Sequence, residues 1–216
     1  MANLTITLKN LIYPTILYDL IRPVKQMMDL LLWYKRGRHA PLPHLIKQKI
    51  VKEYARRFNT KTFIETGTYL GDMIFATRKI FAIIISIEID GNLFEMAKRR
   101  FSRFSHIRIF WGDSSNVLVD VLSKIHEPCL FWLDAHYSGG ITSKGVLETP
   151  ILKELELILH HFVSGHVVLI DDARDFTGQN SYPTIVDLRN LVREKKPEFV
   201  LEIKDDIIII HGKTVA

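Results

Sequence analysis

Five short apolar runs alternate with helix-length segments between residues 44 and 172, and each run leads into a carboxylate. The runs are Thr62–Glu65, Ile83–Ile89, His106–Trp111, Cys129–Leu133 and His166–Ile170. Strands this rich in β-branched residues suit burial on both faces, and strands separated by helices form a parallel sheet with helices on either side. Helices are expected over His44–Phe58, Gly71–Phe81, Gly91–Phe104, Asn116–His126, Thr149–His161 and Tyr182–Lys195. Thr149-Pro150 reads as a capping side chain followed by proline in the first turn. Phe199–Ile203 and Asp206–His211 are separated only by Lys204-Asp205, too short for a crossover, so they are expected as an antiparallel hairpin.

Ligands of such sheets bind beyond the carboxyl ends of the strands. There the sequence places Glu65-Thr66-Gly67, Glu88-Ile89-Asp90, Gly112-Asp113-Ser114, Asp134-Ala135-His136 and Asp171-Asp172. Acidic groups gathered on one rim repel one another unless a cation or a hydroxyl-rich ligand joins them. The first turn, Glu65-Thr66-Gly67-Thr68-Tyr69-Leu70-Gly71, has glycines for a tight turn and a close helix start. Tyr69 stands near the place of the third glycine of a dinucleotide fingerprint, and Glu65 disfavours pyrophosphate. Both features disfavour a nicotinamide dehydrogenase. A carboxylate here suits a cationic ligand, such as an amino group beside a sulfonium.

These residues resemble the class I S-adenosylmethionine-dependent methyltransferases over about residues 44–211. The resemblance implies a Rossmann-like three-layer sandwich with a mostly parallel seven-stranded sheet. It also implies that Glu65, Thr66, Gly67, Tyr69 and Gly71 hold the methionine part of S-adenosylmethionine. Glu88 would take the ribose hydroxyls, and Asp113 with Ser114 the adenine. The intervals of 23 residues from Glu65 to Glu88 and 25 from Glu88 to Asp113 each accommodate one helix and one strand. Glu65-Thr66-Gly67, Leu133-Asp134-Ala135-His136-Tyr137 and Ile170-Asp171-Asp172 are similar to the macrocin-type sugar O-methyltransferases. That likeness implies a magnesium ion on Asp134, Asp171 and Asp172, and a sugar, glycan or polyol acceptor. His136 departs from the second acid of that family's loop motif, and Ser138-Gly139-Gly140-Ile141-Thr142 lengthens the segment.

The chemistry is coherent on its own terms. Three carboxylates suit a hard divalent cation. An alcohol needs its proton removed, and His136 or Asp134 is the candidate base. Each residue also has a plainer reading. Asp172 can cap the next segment, and His160 and His161 suit a helix C-terminus. Trp111 and Trp132 read as core, and Cys129 as a small buried hydrophobe. Arg174 either holds an anionic substrate or bridges the carboxylates.

Residues 1–43 read as a separate helical extension ahead of a methyltransferase domain at 44–216. Ile12, Ile16, Leu20, Val24, Met27, Leu31 and Tyr34 recur at helical steps, and Pro14 and Pro23 are expected to divide the stripe into short helices. Residues 1–60 carry 11 Lys/Arg against 3 Asp/Glu, a net of +8, so the remainder is at −3 within a total of +5. The basic character thus belongs to one end. The extension reads as a cap, a homo-oligomer contact, or an interfacial helix on an anionic membrane with Trp33, Tyr34 and Lys35-Arg36-Gly37-Arg38 at the headgroups. Its internal charges and missing cleavage site argue against a signal peptide. The expected location is therefore cytoplasmic, with the extension able to meet the cytoplasmic face of a membrane. A single cysteine excludes a disulfide framework or a multi-cysteine metal site. Two competing functions are RNA methylation, which Asp-Ala-His-Tyr disfavours because it lacks the proline-rich signature of base amino methylases, and a noncatalytic scaffold. The acids at all five strand ends count against the scaffold.

Overall fold

A computed structural model of the protein describes residues 16–134, 150–179 and 182–212, with side chains from Tyr18 onward. In chain order the elements are α1 (Ile16–Lys35), α2 (His44–Arg57), β1 (Thr62–Thr66), α3 (Asp72–Thr77), β2 (Ile83–Glu88), α4 (Gly91–Phe101), β3 (Ile107–Trp111) and α5 (Ser114–Leu122). They continue with β4 (Cys129–Leu133), α6 (Ile151–His160), β5 (Val167–Ile170), a 3-10 turn at Ala173–Asp175, α7 (Ile185–Lys195), β6 (Phe199–Lys204) and β7 (Ile207–Gly212). Among the described residues, seven strands form one sheet in the order β3-β2-β1-β4-β5-β7-β6. β1 to β5 run parallel, while β7 pairs antiparallel with both β5 and β6. The expected three-layer α/β sandwich and terminal hairpin are both present.

Side chains alternate between two cores, as a pleated strand requires. Ile64, Phe131, Leu133 and Ile170 face α5, α6 and α7, packing with Leu118, Leu155 and Leu188. Phe63, Leu130, Trp132 and Leu169 face α2, α3 and α4, packing with Val51, Ile74 and Phe101. The order reverses between β1 and β4, which opens the rim beyond their carboxyl ends.

Several boundaries differ from expectation. Pro23 does not divide the first helix, which runs unbroken through Ile16–Lys35; Pro14 lies outside the described residues. Tyr18, Arg22 and Gln26 all bond Asp72, so the helix is pinned on both sides of the proline. Such tertiary contacts outweigh the hydrogen bond that an internal proline forfeits. Helix α3 is a short piece, Asp72–Thr77, and α6 begins after Pro150, which occupies the cap position itself. Thr149 lies outside the described residues.

Candidate functional site

The turn after β1 is a left-handed bend. Gly67, Tyr69 and Gly71 have φ of 85°, 48° and 71°. A Cβ on Gly71 would lie 2.6 Å from the ring of Phe101, so only glycine fits there. Tyr69, in place of a third glycine, takes the left-handed conformation that glycine would have taken. Its backbone N–H donates to Glu88 Oε2 at 2.7 Å, and the Asp90 N–H donates to Glu88 Oε1 at 2.9 Å. Glu88 therefore ties the turn to the end of β2. Burial raises its pKa, and these two amides oppose the rise.

Beneath the turn lies Glu65, only 1% exposed. Ser86 Oγ donates to it at 2.7 Å and shares a 2.5 Å hydrogen bond with Thr68 Oγ1. Burial pushes the Glu65 carboxyl up to about 8, with the charges of Asp134, Glu88 and Asp72 adding to the rise. Thr66 is fully buried at the end of β1, where its carbonyl accepts from the Asp134 N–H at 3.1 Å. Two strands further out, beyond β3, Asp113 caps α5, accepting from the Ser115 N–H and Oγ at 2.9 and 2.7 Å. Ser114 begins that helix. Behind it lies Glu154 of α6, fully buried beside the Ser114 and Thr66 hydroxyls, its pKa raised to about 7 by burial.

Asp134, Asp171 and Asp172 come together as expected, each offering an oxygen within 4.8 Å of the others. Asp172 adopts φ 55°, and its N–H donates to Asp171 Oδ1 at 2.9 Å. Asp172 occupies the cap position of the 3-10 turn, as its plainer reading had it, but its side chain makes no capping hydrogen bond. Lys47 reaches in from α2, hydrogen-bonded to Asp171 and 3.5 Å from Asp172. Burial alone would lower the Lys47 ammonium, but Asp171, Asp134 and Asp172 outweigh it and hold it above its ordinary value. Asp171 is raised by burial first and then by Asp134, against the pull of Lys47. Arg174 bridges carboxylates, bonding Asp172 at 2.8 Å and Asp206 of the hairpin turn. Asp134, Asp171, Asp172 and Asp206 against the Lys47 ammonium and the Arg174 guanidinium leave more carboxylates than cations, and the three converging oxygens fit a divalent cation. His136 lies outside the described residues.

Four site residues escape the reading of strand ends because helices deliver them. Lys47 and His44 come from α2, Asp72 from the first turn of α3, and Glu154 from α6. His44 Nδ1 is 2.7 Å from Gln48 Nε2, and burial lowers its pKa while Asp72 opposes the fall. No local motif marks these positions. The nearest signal is an isolated acid at Glu154 on an otherwise apolar helix face.

Trp132 is core, as expected, but Trp111 is not: it is 63% exposed, with Nε1 donating to the Ile89 carbonyl at 3.1 Å. Edge strand β3 leaves that face uncovered. His161 and His166 are structural. The Cys129 N–H donates to His166 Nδ1, so the imidazole contact at 2.8 Å runs from His166 Nε2–H to His161 Nδ1, and His161 Nε2–H reaches the Leu122 carbonyl at 3.0 Å.

No protein-family profile matches the chain, and no curated protein matches it. Solved structures do. A Staphylococcus aureus protein solved as a candidate caffeoyl-CoA O-methyltransferase has a TM-score of 0.58 at 16% identity, over 91% of this chain and 97% of that one. A Bacillus cereus O-methyltransferase in complex with S-adenosylhomocysteine has a TM-score of 0.57 at 14% identity, over 92% and 98%. A Podospora anserina methyltransferase bound to the same molecule has a TM-score of 0.56 at 17% identity, over 83% and 85%. The chain therefore has the Rossmann-like fold of S-adenosylmethionine-dependent methyltransferases.

Proposed function

We propose that the protein is an S-adenosylmethionine-dependent O-methyltransferase that methylates a hydroxyl of a sugar, glycan or related polyol with the help of a divalent cation. One observation carries the reading. Glu65 and Glu88 end neighbouring strands on either side of the left-handed turn, Glu65 accepting from Ser86 Oγ at 2.7 Å and Glu88 from the Tyr69 N–H at 2.7 Å. Such a concentration of negative potential suits a ligand bearing a sulfonium and an ammonium. Sheets of this order bind their ligands beyond the carboxyl ends of the strands, and the Bacillus cereus O-methyltransferase of similar fold is in complex with S-adenosylhomocysteine, which supports a ligand of this kind here.

Each residue then has a role. Glu65 faces the ammonium of the methionine part, together with the backbone of Thr66, Gly67, Tyr69 and Gly71. Glu88, while holding Tyr69 and Asp90, has lone pairs left for the ribose hydroxyls. Asp113 and Ser114 border the adenine. Asp134, Asp171 and Asp172 would hold a magnesium ion, whose chemistry there is Lewis-acid stabilisation of an acceptor oxygen. His136 or Asp134 takes the proton of the hydroxyl. Lys47 and Arg174 fix the aspartates in place. The sugar class rests on the motif likeness of Asp134, Asp171 and Asp172 to macrocin-type enzymes.

The test is transfer of a labelled methyl group to a panel of sugars, glycans and catechols, with and without a chelator. Transfer to a sugar hydroxyl that the chelator and Asp171→Asn both abolish is the expected result. Transfer to catechols alone would overturn the acceptor class. Label found only in added RNA would replace the reading with nucleic-acid methylation.

A further inference from the structure

Helix α1 is built inside out. At helical spacing, Tyr18, Arg22 and Gln26 fall on one face, and this polar face is the buried one, at 7%, 7% and 8% exposure. All three bond Asp72, at 2.9, 3.3 and 3.4 Å. Arg100 joins them by bonding Asp19 at 2.6 Å, and Arg22 lies 3.7 Å over the ring of Phe75. The opposite face carries Leu20, Val24, Met27 and Leu31, each more than half exposed, flanked by Met28 and Tyr34. A helix that serves its own core turns its apolar stripe inward. Here the polar stripe is consumed by the protein and the apolar stripe is left facing out. A contiguous exposed patch of this kind marks an interaction surface.

Charge identifies the occupant. The acids of α1 are neutralised within the molecule: Asp19 by Arg100, and Asp29 by Lys25 at 2.8 Å. Lys35, Arg36 and Arg38, at the end of the same helix, are exposed and, among the described residues, pair with no carboxylate. Trp33 and Tyr34 stand beside them, edge to face at 5.2 Å. No helix among the described residues is long and apolar enough to cross a membrane. We infer that α1 is an interfacial helix that lays its Leu20–Val24–Met27–Leu31 stripe into an anionic lipid bilayer, with Lys35, Arg36 and Arg38 on the headgroup phosphates. An exposed apolar stripe with cations and aromatic residues at its border, on a helix whose own acids are paired, is what such a surface binds. Because the buried face of α1 grips Asp72, next to the Gly71 turn, docking sets the rim of the sheet beside the bilayer.

The test is flotation of the full chain with vesicles of phosphatidylcholine alone and of phosphatidylcholine with phosphatidylglycerol, at low and high salt. The wild type is expected to float with the anionic vesicles, less with the neutral ones, and less in high salt. The double variant Val24→Glu with Leu31→Glu is expected to lower partitioning by about tenfold or more. Lys35→Glu with Arg36→Glu is expected to do so on anionic vesicles only, by about tenfold. All four side chains are exposed, so melting temperatures should match the wild type. Absence of wild-type flotation overturns the inference, as does flotation that Val24→Glu with Leu31→Glu leaves unchanged. A dimer in sedimentation that the same variant dissociates, without flotation, overturns it in favour of a second copy of the chain on this face.

Discussion

Lys47 of α2 places its ammonium on the carboxylate of Asp171, at the end of a strand 124 residues further along the chain. The bond makes the rim beyond β4 and β5 a charge cluster closed by a helix on the opposite side of the chain order. Asp171 is 5% exposed and the Lys47 side chain 15%. Removing either partner leaves the other buried without its counter-charge.

Lys47→Met is therefore expected to destabilise the protein by about 3 kcal/mol in chelator-treated buffer, because three carboxylates then face one another with only Arg174 nearby. Added magnesium should recover more of the melting temperature in the variant than in the wild type. Thermal melts of both proteins across a magnesium titration check this. Equal responses of the two would show that the aspartates do not hold the ion.

Glu154 has a pH signature. Its carboxyl is raised in the folded protein from its ordinary value near 4.5 to about 7, by burial. The folded state thus binds more protons than the unfolded state between those values, and stability falls as pH rises through that window. The full loss, about 3 kcal/mol, is present above pH 7. Glu154→Gln removes the ionisation while keeping the shape. It should melt higher than the wild type at pH 8 and nearly level with it at pH 4.5, as paired thermal denaturation would measure.

Gly71→Ala tests the turn. The new Cβ meets the Phe101 ring at 2.6 Å in a backbone at φ 71°. Strain at a left-handed position and the clash together are expected to cost about 2–4 kcal/mol. Affinity for S-adenosylhomocysteine should fall with it, since Phe101 anchors α4 behind the turn. Denaturant titration and calorimetry on the same preparation separate the two effects.

Much of the architecture was legible because the strands are buried on both faces. Ile83–Glu88 and Cys129–Leu133 can do little else than form central strands, and the acids that follow them must then share one rim. That is why Asp134, Asp171 and Asp172 could be assigned to the rim from their positions in the chain, while their selection as one set rested on the motif likeness. Lys47, Asp72 and Glu154 were not legible, because a helix presents a residue to a site by rotation and tertiary packing rather than by its place after a strand. Pro23 misled for a related reason: local propensity argued for a break, and the three contacts to Asp72 outweighed it. Trp111 misled because an edge strand covers only part of what a central strand would.

The most direct test of the account is titration calorimetry of S-adenosylhomocysteine into the wild type and Glu88→Ala, with folding of both checked by thermal melting. Glu88 holds the Tyr69 amide at 2.7 Å and, in the proposed function, takes the ribose hydroxyls, so its loss would loosen the turn and remove ligand contacts together. The account predicts micromolar binding to the wild type and an affinity about 100-fold weaker in the variant. A wild type that binds no S-adenosylhomocysteine, or a Glu88→Ala protein that binds it equally well, would contradict it.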